Sequence, residues 1–414
     1  MAASLSELLM PQVVLGLISK LLEGRGSIGS WLGFHPTRLE ENGVSLAGPN
    51  TMSTGTTVRQ FTYRIFNHTR VPLKLVAPAT AASTIAPNVV GQNDVSIARW
   101  HTKMPLSWEM LGNLAGMGGP NSQIDTNGQT YIAEQTKFMA AQGNNTIELM
   151  AAGMMRDSLY AIQNGVDWLP QFDAPTSSQF GIQINFRVPS TNKGQLAQAM
   201  GTDTTAGPII TTPWRNEGAR IFGNVMSIQS AYAQLNRYQM QDVWINSLLL
   251  DPILTNAEIR NLGGSMNTPF AEFKDEMTSD NEGPMTRTLK LRCMPNVTWH
   301  ICDDSVAIGG DMDPVNPSTS GPSVATLKKL VPDTMAIFTT KPSSGGKNLG
   351  WAKLIYGGEM LSENPGQPAT PHMGWSAWHQ YVVDPSCVQL FNLLNAVPAL
   401  FVPNVVAPAT VDGF

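Results

Sequence analysis

The sequence predicts an α+β protein with more than one folding unit, on three observations. One long helix-coded stretch, Gly128 to Asn164, stands in a chain otherwise patterned for strands and turns. Period-two alternation recurs on both sides of it, as in Phe61, Tyr63 and Ile65 before it and Ile182, Ile184 and Phe186 after it. The 37 glycines and 29 prolines require many turns, and the length of 414 residues exceeds what one hydrophobic core usually organises.

At the start, Ser4-Leu5-Ser6-Glu7 has the capping-box spacing, followed by Leu8, Leu9, Val14, Ile18, Leu21 and Leu22 on one helical face. Pro11 kinks or restarts that helix, and Gly24 to Gly33 breaks it. An apolar arm of this kind either docks on its own subunit or grips a neighbour, and the sequence leaves both open. From Thr56 to Pro105 the period is two. Phe61, Tyr63 and Ile65 alternate with Thr62 and Arg64; Val71, Leu73 and Leu75 alternate with Pro72 and Lys74; Val95, Ile97 and Arg99 resume the pattern. Between them Ala77 to Asp94 is rich in Ala, Pro, Thr, Asn and Gly. The pattern predicts two extended arms flanking a tip with little to bury, a form uncommon unless functional or held by a partner.

In the helical stretch, Tyr131, Ile132, Gln135, Phe138, Met139, Gln142, Leu149, Met150 and Met154 mark a mostly apolar stripe at three- and four-residue spacing. Asp125 or Thr126 is placed to cap its first turn, and Gly165 to close its last in a left-handed conformation. About 37 residues at 1.5 Å each make a rod of roughly 55 Å, too long for one compact core. Gly143-Asn144-Asn145 interrupts its middle, where a glycine costs about 1 kcal/mol relative to alanine. A kink or bend is expected there.

Beyond the helix, Ile182 to Val188 alternates as a strand, and Lys193 to Gly207 is a polar, turn-rich insertion. Ile221 to Leu262 returns to helical periodicity in at least two pieces, broken at Asp251-Pro252, with Trp244 and Leu248 as core candidates. Thr268 to Pro284 is polar and acidic. Thr286 to Ile301, Thr334 to Thr340 and Trp351 to Tyr356 read as strands, with Gly309 to Gly321 a loop.

Composition narrows the function classes. Charged residues make up 14% of the chain, against about 25% in typical soluble proteins, so much surface is neutral polar or apolar and meets other subunits or solvent. The net charge of −5, with Lys328-Lys329 the densest cationic pair, argues against a dedicated nucleic-acid binder. Cys293, Cys302 and Cys387 show no CxxC pairing and fit a reducing compartment. The apolar run Val13 to Ile18 is too short to span a membrane, and Glu7 with no early Lys or Arg argues against a signal peptide. Cytoplasmic synthesis without export is the expectation.

No constellation specifies an enzyme. His300-Ile301-Cys302-Asp303-Asp304 is the densest polar cluster and puts His300 and Cys302 on one face of a strand. A second ligand pair at metal spacing does not follow it. Ser190-Thr191-Asn192-Lys193 and Ser344-Gly345-Gly346-Lys347 match S-x-x-K without its companion motifs. Gly116-Met117-Gly118-Gly119 runs into Pro120 and lacks the context of a phosphate loop. His35, His101 and His379 are scattered, and Trp375, Trp378 and Tyr381 read as core or interface packing. No residue is nominated as catalytic, cofactor-binding or metal-ligating, and no cofactor is expected.

The order of elements resembles a known family. An apolar arm, a two-armed extension, a spine-length helix, strands, a mixed domain and a proline-bracketed last strand are similar to a tailed-bacteriophage major capsid protein of the lambda type, which has the Hong Kong 97-like fold. Gln163-Asn164-Gly165-Val166-Asp167 resembles that family's helix exit, and Leu330-Val331-Pro332-Asp333-Thr334-Met335 its late strand entry. The tail matches best, through Asp384-Pro385 and then Val397-Pro398-Ala399-Leu400-Phe401-Val402-Pro403. The insertions at Lys193–Gly207 and Gly309–Gly321 have no counterpart.

The resemblance implies a division into an N-terminal arm (1–55), an extended loop (56–99) over a neighbouring subunit, and a peripheral domain (100–214) holding the spine helix 128–164. An axial domain (215–370) and a C-terminal return to the peripheral domain (371–414) complete it. It implies self-assembly into hexamers and pentamers of an icosahedral shell around double-stranded DNA, without sequence-specific binding and without a membrane. Portal, scaffolding and possible decoration proteins would be the partners, with scaffolding on a separate chain. Assembly in the host cytoplasm would end in the virion capsid. Some relatives cross-link subunits through a Lys and an Asn; Lys74 and Lys103 are the available donors, and no motif supports their use. The same fold also serves encapsulin-like compartments, which enclose a cargo enzyme. A cytosolic hydrolase with an unusual site is the rival from another class.

Overall fold

A computed structural model of the protein describes residues 28–35, 38–40, 43–45, 53–56, 60–66, 89–107, 126–164, 167–172, 181–196, 208–236, 238–263, 269–276, 286–308, 326–344, 347–361, 369–383 and 386–413. These form a mixed α/β structure around two large sheets. The expected helix within 4–22, the strand at Val71–Leu75, Gly165 and the loop at 309–321 fall outside the described residues.

The 15-residue strand Ser386–Leu400 organises the first, eight-stranded sheet. One of its edges pairs with Ala98–Ser107; the other forms a hairpin with Trp375–Val383 and then pairs with Ala352–Leu361. Ser53–Thr56 and Thr370–Met373 extend the sheet beyond Ala352–Leu361, and Gly43–Ser45 with Arg38–Glu40 completes it. Leu390, Leu394 and Ala396 are buried along the long strand.

The long helix lies against this strand and runs Thr126–Arg156. It ends eight residues before the expected Asn164, because Leu159–Asn164 is a strand paired with Asp167–Gln171 and Gly181–Ile184. The stop is local chemistry. Asp157 takes the left-handed conformation (φ 51°), its N–H donates to the Met154 carbonyl at 3.3 Å, and that of Ser158 donates to Gly153 at 3.0 Å. This is the two-bond pattern that satisfies a helix's last carbonyls. A Lys193–Asp157 ion pair at 2.7 Å holds the turn.

Gly143-Asn144-Asn145 lies within continuous helix. Glycine is needed there for close packing: a Cβ on Gly143 would lie 2.1 Å from the Trp375 ring. The buried stripe matches Met139, Leu149, Met150 and Met154. It departs at Phe138, which is 48% exposed. Around residues 147–155 the helix is buried on every side, as befits a core element. Each large apolar side chain buried there contributes roughly 1.5–3 kcal/mol.

The second sheet has the order Ala271–Glu276, Thr286–Leu291, Thr298–Ile301, Asp242–Ile245, Met335–Thr339, Ala407–Thr410. Only Asp242–Ile245 and Thr298–Ile301 run parallel. Helices Ile221–Leu235, Leu250–Thr255 and Ala257–Gly263 cover it, with Val225, Ile228, Ile253 and Ile259 packed on Val243, Leu289 and Phe338. Two expectations fail here. Trp244 sits on a strand inside the stretch read as helical, and Leu248 is 51% exposed instead of core. Asp251-Pro252 begins a helix, where a missing proline N–H costs nothing.

Ala352–Leu361, from within 215–370, pairs into the first sheet, as does Thr370–Met373 at the start of the C-terminal return. Ala407–Thr410 leaves the C-terminal return to edge the second sheet, where Gly194 makes room for Ala409. The strand expected to reach Val188 stops at Ile184. Arg187 turns left-handed (φ 58°) as its N–H donates to Asn185 Oδ1, while Phe186 and Val188 still alternate inward. Gly24–Gly33, read as a break, contains the short helix Ile28–Leu32, ended by Gly33 at φ 71°.

Candidate functional site

The residues singled out for chemistry are mostly absorbed by packing. His300 meets Asp242 Oδ1 at 2.7 Å and stacks on Trp244 with ring centroids 4.5 Å apart. Cys302 is buried, and Asp303 accepts the Ser247 N–H at 2.8 Å. Among the described residues no group of three His, Cys, Asp or Glu side chains is arranged to hold a metal ion. Ser190–Asn192 is a short 3-10 turn whose following Lys193 is committed to Asp157. Ser343–Ser344 pairs with Lys347–Asn348 in a tight hairpin. The four residues from Gly116, and Lys74, lie outside the described residues; Lys103 is exposed on the strand Ala98–Ser107.

Trp375 is fully buried against the helix, and its Nε1–H donates to Asn392 Oδ1 at 2.6 Å. Asn392 in turn donates to the Met139 carbonyl at 2.9 Å, so one asparagine ties strand, tryptophan and helix together. On the opposite face of the sheet Trp378 stacks on Phe391 at 5.2 Å and on His101 at 5.7 Å. Burial first, then the nearby Arg99, pushes the His101 pKa down, so the ring is neutral at neutral pH.

Among the described residues, the most extended geometry is that of a long support and its attachments. The helix of 31 residues spans about 46 Å and the strand Ser386–Leu400 about 50 Å, so the two match in length. At one end of this spine a separate hairpin, Gln60–Phe66 with Val89–Ser96, is anchored through the middle and the loop-side end of its strands. Tyr63 packs on Phe401 at 5.2 Å, and the Phe66 N–H donates to the Phe401 carbonyl. The buried Asn93 donates to both the Tyr63 hydroxyl and the Asn185 carbonyl. The two arms expected from alternation are thus paired, and Tyr63, Phe66 and Asn93 fix them to the body. Their tip lies outside the described residues.

Sequence reasoning missed Glu148, Asp242 and Trp31. The one local signal for Glu148 was a carboxylate set between Ile147 and Leu149 in an apolar stretch. The remaining large exposed apolar side chains include Phe138, Leu262, Phe273, Leu327 and Met360, spread over the spine helix, the helix Ala257–Gly263, both sheets and the strand Thr326–Lys329. None of the described helices is long and apolar enough to cross a membrane.

The cysteines give a direct check on this packing. Burial pushes the Cys302 thiol far up, with Asp304 adding to it, and raises the half-buried Cys293 less. Since the thiolate is the reactive form, Cys302 is expected to resist maleimide at pH 8 while Cys293 labels slowly. Mass-spectrometric counting of labelled cysteines reads this out, and rapid Cys302 labelling in the folded protein would contradict the buried strand end.

No protein-family model matches the sequence, and no curated protein does. Solved structures are similar in fold at low identity. The putative capsid protein of a prophage of E. coli CFT073 shares 8% identity over 99% of each chain, with a TM-score of 0.47. A phage-related protein from Bordetella bronchiseptica RB50 shares 10% over 95% of each chain, with a TM-score of 0.43. A virus-like particle protein from Pyrococcus furiosus shares 8% over 96% of this chain and 98% of the other, with a TM-score of 0.37.

Proposed function

We propose that this chain is a shell-forming structural protein, the major capsid protein of a tailed phage with the Hong Kong 97-like fold. Its copies assemble as hexamers and pentamers into an icosahedral wall around double-stranded DNA. The observation that carries the reading is the spine: a helix of about 46 Å laid along a strand of equal length, with a paired hairpin fixed to one end. A span of that length serves a wall better than a reaction centre. The long helix and the first sheet act as the peripheral domain and the second sheet as the axial domain. The hairpin within 56–99 is the extended loop that crosses a neighbour.

Surface chemistry supports the same reading. Few charges and scattered apolar side chains suit many modest interfaces, whose stability multiplies through multivalency. A mild net charge of −5 suits a wall that must not clamp the DNA it later releases. Portal and scaffolding proteins are the partners this role requires, in a host cytoplasm before release as a virion.

Electron microscopy of the full chain, expressed alone and with its neighbouring genes, tests this. Closed shells are expected, holding nuclease-resistant DNA when the packaging genes are present. A small monomer under every condition would sink the proposal. Shells that retain one cargo enzyme and no DNA would favour the encapsulin-like compartment instead.

A further inference from the structure

The segment 28–35 touches three bodies at once, and its contacts differ in kind from the packing around it. Toward the spine helix, both oxygens of the buried Glu148 are engaged. Oε2 accepts the Gly29 N–H at 2.8 Å, and Oε1 lies 2.6 Å from His35 Nε2. Gly29 is required for this approach, because a Cβ there would sit 2.6 Å from the same carboxylate. Toward the first sheet, the Phe34 carbonyl accepts the Tyr356 hydroxyl at 3.1 Å, with Phe34 and Tyr356 fully buried. Toward the second sheet, Trp31 stands edge-on to Trp244 at 5.3 Å and lies 5.9 Å from His300. The same indole is 6.5 Å from Trp351, which opens the first-sheet strand Ala352–Leu361.

Trp31 is therefore wedged where the two sheets meet. The rest of that joint is apolar, with Trp244 and Ile337 of the second sheet sharing a core with Met150, Leu354 and Leu394. Apolar packing is non-directional and resists separation more than sliding. Hydrogen bonds and edge-to-face rings fix direction. The segment is itself held rigid, since Gly33 closes its helix with Phe34 N–H to Gly29 O and Gly33 N–H to Ser30 O.

We propose that residues 28–35 form a strap that sets the angle between the two sheets, with Trp31 as the wedge and Glu148 as its anchor on the spine helix. Given the shell function proposed above, on which only this consequence rests, the strap sets the curvature of the subunit. It docks on the chain's own spine.

The test uses the full-length chain with bio-orthogonal spin labels at the exposed positions Phe138, on the spine helix, and Leu248, beside the second sheet. Labelled chain is diluted with unlabelled chain so that only internal distances are read. The wild type is expected to give one narrow distance distribution. Trp31→Ala should broaden it about twofold and raise exchange of the 28–35 amides by about tenfold, while both sheets keep their protection. Glu148→Gln, which removes the charge without leaving a cavity, should broaden it less. An unchanged distribution in Trp31→Ala despite faster exchange of 28–35 would overturn the strap. Loss of protection in both sheets together in both variants would overturn it too, by making these ordinary core residues. In particles, Trp31→Ala should give mixed diameters. If the wild type forms no particles, the shell reading falls, while the distance measurement still decides the strap.

Discussion

Gly143→Ala is expected to destabilise the protein by about 2–3 kcal/mol, although alanine is the better helix former. Helix propensity alone predicts the opposite, a gain of about 1 kcal/mol in mid-helix. The packing decides the sign. The new Cβ would lie 2.1, 2.6 and 2.7 Å from three atoms of the Trp375 ring, closer than any real contact. The indole has no easy retreat, because its Nε1–H is committed to Asn392 and Asn392 is committed to the helix carbonyl of Met139. Either the helix lifts off the long strand or that polar chain breaks, and both lose buried contacts. Equilibrium urea unfolding reads the change. Trp375→Phe, which removes the outer ring that clashes, should recover part of the loss in the Gly143→Ala background, a coupling that a double-mutant cycle isolates. A stabilised Gly143→Ala would show that helix and strand do not approach this closely.

The same glycine shows what was and was not readable in the sequence. Its cost to the helix was legible; its cause lies on a strand more than two hundred residues away. Elements whose pattern is local were found: the alternating strands, the paired arms of the hairpin and the apolar face of the long helix. Elements set by distant partners were missed. Asp242–Ile245 is buried on both faces, so it carries no period-two signal, and its neighbours in the sheet come from Thr298–Ile301 and Met335–Thr339. Helix periodicity in the surrounding chain then swallowed it. The helix end at Arg156 depends on Asp157 adopting a left-handed turn with Lys193 beside it, a choice that Arg156-Asp157-Ser158 alone does not announce. For the candidate site the difficulty is the same. Glu148 meets its partners 119 and 113 residues away, and the metal-like cluster around His300 proves to be half of a pair completed 58 residues upstream.

That pair supports the second large effect. Asp242→Ala is expected to cost about 3 kcal/mol, because it leaves a buried histidine nitrogen with no acceptor. Asp242 is 1% exposed and His300 is 9% exposed. The ring cannot turn to water, since it is stacked face to face on Trp244 at an interplanar angle of 16°. Both residues stand in the middle of the second sheet, directly beside the strap's tryptophan, so the loss falls on the joint between the two sheets. Asp242→Asn keeps an oxygen acceptor in nearly the same place and should cost less than half as much. The sharper control is to remove both partners. His300→Phe in the Asp242→Ala background leaves an aromatic ring on Trp244 and no stranded nitrogen, and it should recover much of the lost stability. Chemical denaturation of the four proteins separates the cases. If Asp242→Ala falls within about 0.5 kcal/mol of wild type, the 2.7 Å contact contributes nothing and the histidine is held by stacking alone. If the double variant is worse than the single one, the histidine has a further partner, and the polar cluster would again be open to a role beyond packing.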